Sequence, residues 1–126
     1  MTADIIFLDT NVLVDASDTA RRDHKKAVRL IETADQLVFS AQVAREYLVV
    51  ATRPVSANGL GMKVSEALAN LSGFRRFIAT LPEERPLLPH FLELMATVAC
   101  RGRAIHDAHI AATMLAHSVK TLVTAN

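Results

Sequence analysis

Ile5, Ile6, Phe7 and Leu8 form an apolar run without alternation, ended by Asp9, and such a run suits a strand buried on both faces of a parallel sheet. Thr10 and Asn11 supply capping side chains for a helical turn through Val12 and Leu13. From Ala20 the period becomes helical: Ala27, Leu30 and Ile31 share an apolar face, while Arg21, Arg22, Lys25, Lys26 and Arg29 lie on the other. Leu37, Val38 and Phe39 read as a short second strand ending at Ser40, the N-cap of a helix over Ala41 to Arg53 whose Val43, Tyr47 and Val50 share a face. Pro54 stops that helix, and Val55 to Gly61 reads as a mobile loop.

The next helical period, Met62 to Ala79, puts Val64, Ala67, Leu68, Leu71 and Phe74 inside. Thr80 to Pro89 contains Pro82, Pro86 and Pro89, which predicts an extended connector with a short edge strand around Leu87 and Leu88. A helix from His90 to Arg101 follows, then one that aligns Asp107 with Ile110, Ala111 and Met114, then a strand over Val119 to Val123.

Composition narrows the class. The 126 residues, 51% of them hydrophobic, make one domain spanning 1–126 with enough apolar material for a real core. No apolar run approaches the roughly 18 residues of a membrane span, and no charged leader precedes an apolar segment, so a cytoplasmic protein is expected. Cys100 is the single cysteine; it has no disulfide partner and no second thiol for zinc, and is expected as a small core residue. Net charge is only +1, so an anionic partner would meet a local basic patch.

Three acids stand out against this pattern. Asp9 ends the central strand, where open α/β sheets collect ligands, although capping the following helix is an equally simple role. Glu46 lies three residues after Val43 and four before Val50, so it points where apolar side chains point and must be protonated, bound to a cation, or paired with Arg45 or Arg53. Asp107 shares the inward face of its helix near the amino-terminal end, where the dipole also tolerates an acid. Convergence of the three would require positive charge at their centre. An all-oxygen set suits a hard ion such as Mg²⁺ or Mn²⁺, which polarises a phosphate and activates water for in-line attack.

The chain resembles a PIN domain and, within that family, the VapC toxins of bacterial toxin-antitoxin pairs. The resemblance rests on Leu8-Asp9-Thr10-Asn11, on Val43-Ala44-Arg45-Glu46-Tyr47 running into Ala51-Thr52-Arg53-Pro54, on His106-Asp107-Ala108 and on Leu122-Val123-Thr124-Ala125-Asn126. It implies a three-layer α/β/α sandwich with a central parallel sheet, and a Mg²⁺- or Mn²⁺-dependent endoribonuclease that leaves a 5′-phosphate and a 3′-hydroxyl. Asp9, Glu46 and Asp107 would be the catalytic metal ligands, with Thr10, Asn11, Thr124 and Asn126 in support. It also implies a homodimer and a cognate VapB-like antitoxin whose tail occupies the acidic groove. The family commonly adds another acid and a last strand after the segment that ends here at Asn126, so both are expected to be missing.

Arg101 and Arg103 stand just before Asp107 and are the first candidates for RNA phosphates, followed by Arg21, Arg22, Lys25 and Lys26; ordinary solvated charge is the plainer alternative. His106 and His109 could suggest a zinc pair, but no third protein ligand is evident. His106 is expected near the acids, and His109 at the surface or facing RNA. A phosphatase of the haloacid-dehalogenase type would want a second Asp where Asn11 stands. A non-catalytic RNA- or protein-binding module on a PIN scaffold is the stronger rival.

Overall fold

The amino-terminal apolar run becomes β1 (Ile6–Leu8), in which Phe7 and Leu8 are fully buried. The computed structural model describes residues 4–82, 87–98 and 100–124. β1 pairs in parallel with β2 (Leu37–Ser40), in the register Ile6 to Leu37 and Phe7 to Val38. β2 pairs with β3 (Ile78–Leu81), and β4 (Thr121–Val123) lies on the free side of β1, giving the order β3-β2-β1-β4. Every pairing is parallel, so each link between strands must cross back along the sheet, and helices supply those crossings. They are α1 (Thr10–Ser17) and α2 (His24–Thr33), then α3 (Ala41–Thr52) and α4 (Val64–Phe74), then α5 (Leu87–Thr97) and α6 (Ala104–Ala116). The carboxyl ends of β1, β2 and β4 consequently lie along one edge of the sheet.

The core joins strand and helix residues: Phe7, Leu8, Leu13, Phe39, Val43, Tyr47 and Ile78 are all buried. Tyr47 meets Phe74 edge-on at 5.5 Å, with its hydroxyl 2.7 Å from Ser17 Oγ and accepting from Asn70 Nδ2 at 3.4 Å. A ring this deep is tolerable because its polar end has partners. No helix among the described residues is long and apolar enough to cross a membrane.

Several expectations change. The helix expected over Met62 to Ala79 ends at Phe74, because residues 78–81 leave it to pair with the edge of β2. Tertiary pairing outweighs a helical pattern there. Of its expected inner face, Ala67 is buried and Leu71 and Phe74 pack on the core, whereas Val64 and Leu68 are exposed. The edge strand expected around Leu87 and Leu88 is the start of α5; Pro89 falls in that helix's first turn, where its missing N–H leaves nothing unpaired. Residues 83–86 of the expected connector, and Ala99, lie outside the described residues. The helix expected over His90 to Arg101 starts at Leu87 and ends at Thr97.

The loop after Pro54 is a hydrogen-bonded turn. Leu60 N–H donates to Val50 O at 3.0 Å, Gly61 N–H to Arg53 O at 2.8 Å and Met62 N–H to Ala51 O at 2.9 Å, satisfying the last carbonyls of α3. Gly59 lies so close to the Arg53 backbone that a Cβ would collide with it. Cys100 is half-buried, with its thiol 3.6 Å from Met95 Sδ.

Candidate active site

Asp9 is placed from two directions. Its backbone N–H donates to Val123 O at 3.0 Å, which fixes it against the end of β4, and as N-cap of α1 its Oδ1 accepts the Thr10 N–H at 2.7 Å. The cap of α1 is therefore Asp9, not Thr10 or Asn11. Oδ2 remains for other work and accepts the Thr124 hydroxyl at 3.0 Å. Capping uses one carboxylate oxygen and leaves the side chain half-exposed at the edge of the sheet.

Thr10 then reaches a second acid. Buried in the first turn of α1, it donates its hydroxyl to Glu46 Oε2 at 2.8 Å, so one residue holds Asp9 with its amide and Glu46 with its side chain. Glu46 owes its position to α3, which Ser40 caps by accepting the Val43 N–H at 3.3 Å. Its Oε1 accepts from Gln42 Nε2 at 2.9 Å. Neither Arg45 nor Arg53 pairs with it among the described residues.

The third acid arrives on α6. Gln42 Nε2 also donates to the His106 carbonyl at 3.4 Å, and His106 Nδ1 lies 3.5 Å from Glu46 Oε1. These contacts set the first turn of α6 beside Glu46. Asp107, the next residue along, is exposed there and does not face inward as its helical spacing suggests, and among the described residues no ion pair or hydrogen bond engages its carboxylate. Asp9 and Glu46 are brought together through a shared threonine; Asp107 is carried to the neighbourhood without being tied to them. Among the described residues no three acidic, histidine or cysteine side chains are gathered closely enough to grip an ion as they stand.

The electrostatics follow from the donors. Each oxygen of Asp9 and Glu46 accepts a hydrogen bond from a neutral group: a backbone amide, two threonine hydroxyls and a glutamine amide. No lysine or arginine among the described residues comes within ion-pairing distance of any of the three acids; His106 alone could supply a charge, and only when protonated. Two half-exposed carboxylates are thus joined through one threonine, with His106 as their one basic neighbour among the described residues and no lysine or arginine to compensate them. That donor set fits a hard, partly hydrated divalent cation: oxygen only, no thiol, open to water on one side.

The basic candidates divide. Arg21 is engaged at the α1–α2 corner, with Nη1 3.5 Å from Asp15 and Nε 3.6 Å from Asp18. Arg22 lies 3.8 Å from Asp23. Arg22 and Lys26 line a cavity of about 320 Å³ that reaches Thr124, while Lys25 is exposed. Arg101 and Arg103 are exposed in the approach to α6 and make no ion pair among the described residues. His109 does not project freely; its ring packs on Phe91 at 5.2 Å, between α5 and α6. Asn11 is half-buried in α1, and Asn126 lies outside the described residues. Sequence reasoning missed Gln42, although its place one turn before Glu46 on the same helix was a usable signal.

The coordinates resemble those of three solved structures. With Mycobacterium tuberculosis VapC20, a toxin that cleaves the sarcin-ricin loop, the TM-score is 0.73 at 16% identity, covering 96% of this chain and 89% of that one. With VapBC2 from Rickettsia felis, solved on a DNA fragment from its promoter, it is 0.69 at 20% identity, covering 97% and 88%. With VapBC-1 from nontypeable Haemophilus influenzae it is 0.66 at 19% identity, covering 97% and 87%. At such identities the likeness establishes the fold. Comparison with curated proteins gives no match. A family model described as the PIN domain matches residues 6–126, and on that match over nearly the whole sequence the chain belongs to the PIN-domain family.

Proposed function

We propose that the chain is a VapC-type toxin, an endoribonuclease that hydrolyses RNA phosphodiesters and is held in check by a VapB-like antitoxin. The observation that carries this reading is the Thr10 bridge, which holds Asp9 and Glu46 side by side on neutral donors at the carboxyl edge of a parallel sheet. Family membership and the VapC-like fold support it. Asp9, Glu46 and Asp107 are the residues that would hold Mg²⁺ or Mn²⁺. When bound, such an ion polarises a phosphodiester and makes water a competent nucleophile near neutral pH.

The chain's own residues do the rest. Thr10 and Thr124 orient the two fixed carboxylates; Arg101 and Arg103 align the RNA strand through its phosphates, with Arg22, Lys25 and Lys26 extending the track. Arg21 contributes only by giving up its pairing with Asp15 and Asp18. A homodimer in the cytoplasm completes the reading.

The test is cleavage of a labelled RNA by the wild-type chain and by Asp9→Asn, each with Mn²⁺ or with a chelator. Cutting by the wild type should depend on the ion and disappear in the variant without loss of folding. Undiminished cutting by Asp9→Asn would sink the scheme. A second reading draws on the exposed, unengaged Asp107: a binding module on the same scaffold would bind RNA equally well with chelator and would never cut it.

A further inference from the structure

Gln42 is 4% exposed, in the first turn of α3. Both groups facing its Nε2, Glu46 Oε1 and the His106 carbonyl, are acceptors, so the orientation of the amide is determined by its neighbours. The consequence is an unusual one: its Oε1 is buried with no hydrogen-bond partner among the described residues. A buried carbonyl without a donor costs free energy that leucine or methionine of similar volume would not incur. The contribution of this amide therefore lies in what Nε2 holds.

It holds two groups that are far from each other in the chain. One is the carboxylate of Glu46, on its own helix. The other is the peptide between His106 and Asp107, on α6, 64 residues away in sequence. The other link from α6 to Glu46 among the described residues is the His106 imidazole, whose side chain is 64% exposed and 3.5 Å off. A buried amide is the better-defined of the two tethers, because it has little room to move.

We infer that Gln42 is a positioning residue: by bridging Glu46 and the His106 carbonyl, it sets the distance between the second acid and Asp107, and so the affinity of the acidic site for a divalent cation. The inference rests on the nuclease reading, since it concerns how the same acids are arranged. Gln42 touches neither substrate nor ion; it acts through Glu46 and the peptide that leads into Asp107.

The experiment compares the full wild-type chain with Gln42→Leu, and with Gln42→Met should the branched side chain prevent folding. Three readouts are taken: Mn²⁺ binding by calorimetry, amide exchange at residues 106–108 in the ion-free protein, and thermal melting. Loss of an outer partner of a metal ligand typically weakens ion binding about 10- to 100-fold, and that loss is expected here with faster exchange at the start of α6 and nearly unchanged melting. A merely structural role would lower melting and leave the Mn²⁺ affinity of the folded fraction as it was. Mn²⁺ affinity within about twofold of wild type in both variants overturns the inference. If the wild type binds Mn²⁺ and cuts RNA while both variants match it, only the role of Gln42 falls; if the wild type neither binds nor cuts, the nuclease reading falls with it.

Discussion

Asp9, which caps α1, and Glu46, on α3, sit in a part of the molecule built differently from the part that carries the third acid. Around Asp9 and Glu46 the strands β1 and β2 and the helices α1 and α3 contribute Phe7, Leu8, Leu13, Phe39, Val43 and Tyr47, all without solvent exposure. Asp107 stands on the open side of α6, a helix whose other face buries Ala108, Ile110, Ala112, Thr113 and Met114, and the packing of α6 against α5 is shallower. α5 has no buried residue, and Leu88, Leu92, Val98, Leu115 and Leu122 are all exposed. The first region defines two carboxylates by hydrogen bonds on every oxygen; the second carries a carboxylate with none among the described residues. If the three acids hold a cation as proposed, a well-packed part that presents two of them and a shallower part that delivers the third is a physically sensible way to arrange mutually repelling charges.

The largest effect expected from this contrast is on cleavage. Asp9→Asn keeps the cap of α1 but removes a charge from the rigid pair, and loss of several kcal/mol of charge stabilisation corresponds to a rate drop of about 1000-fold or more. Asp107→Asn should do comparable damage if the third acid joins the ion in the active state. Single-turnover rates on one RNA substrate decide between the cases. If Asp107→Asn cuts nearly as well as wild type while Asp9→Asn is dead, the site works with two acids and the exposed third is only a first-turn residue of α6.

Stability should show the same divide. Phe39→Ala, in the fully buried layer, should cost about 3–5 kcal/mol, the range for truncating a core aromatic. Leu92→Ala, at a side that is 56% exposed, should cost no more than about 0.5 kcal/mol. Denaturant melts of the two variants measure both. A cost for Leu92→Ala well above that figure would mean that α5 is covered in solution, by a second copy or another partner, and the contrast between the halves would belong to the isolated chain alone.

The same divide governs how much of the molecule was legible in the amino-acid sequence. Where local pattern and burial agree, as in Phe7-Leu8, Leu37 to Phe39 and the helix that Ser40 caps, elements fall within a residue or two of their expected places. Where a segment's state depends on a distant edge, pattern misleads. Residues 78 and 79 fall in the expected helix and residues 80 and 81 in the expected connector, yet the open side of β2 recruits all four as a strand. Pro89 suggests an interruption because proline breaks helices, but in the first turn of α5 it breaks nothing. At the site, the proximity of Asp9 and Glu46 could be expected from their positions. The Thr10 hydroxyl that joins them and the Gln42 amide that reaches α6 depend on side-chain geometry that no spacing encodes.

The smallest effects should come from the basic residues of the looser half. Arg101 and Arg103 are exposed and unpaired by any acid among the described residues, so substitution removes no folded-state interaction. Their replacement by Gln should leave melting nearly unchanged, because Arg103, the N-cap of α6, makes no side-chain cap bond, and surface substitutions that break no such bond stay within about 0.5 kcal/mol. If they contact phosphates, each loss should weaken binding of an uncleaved RNA a few-fold and reduce the dependence of log affinity on log salt by about 0.7 per contact for a single strand. Arg21→Gln is the informative comparison, since its guanidinium is committed to Asp15 and Asp18. That variant should lower stability slightly and leave the salt slope alone. An Arg21 effect on the slope equal to that of Arg103 would mean that its guanidinium leaves Asp15 and Asp18 to join Arg22, Lys25 and Lys26 on the RNA, so that the track crosses the α1–α2 corner as firmly as it follows the start of α6.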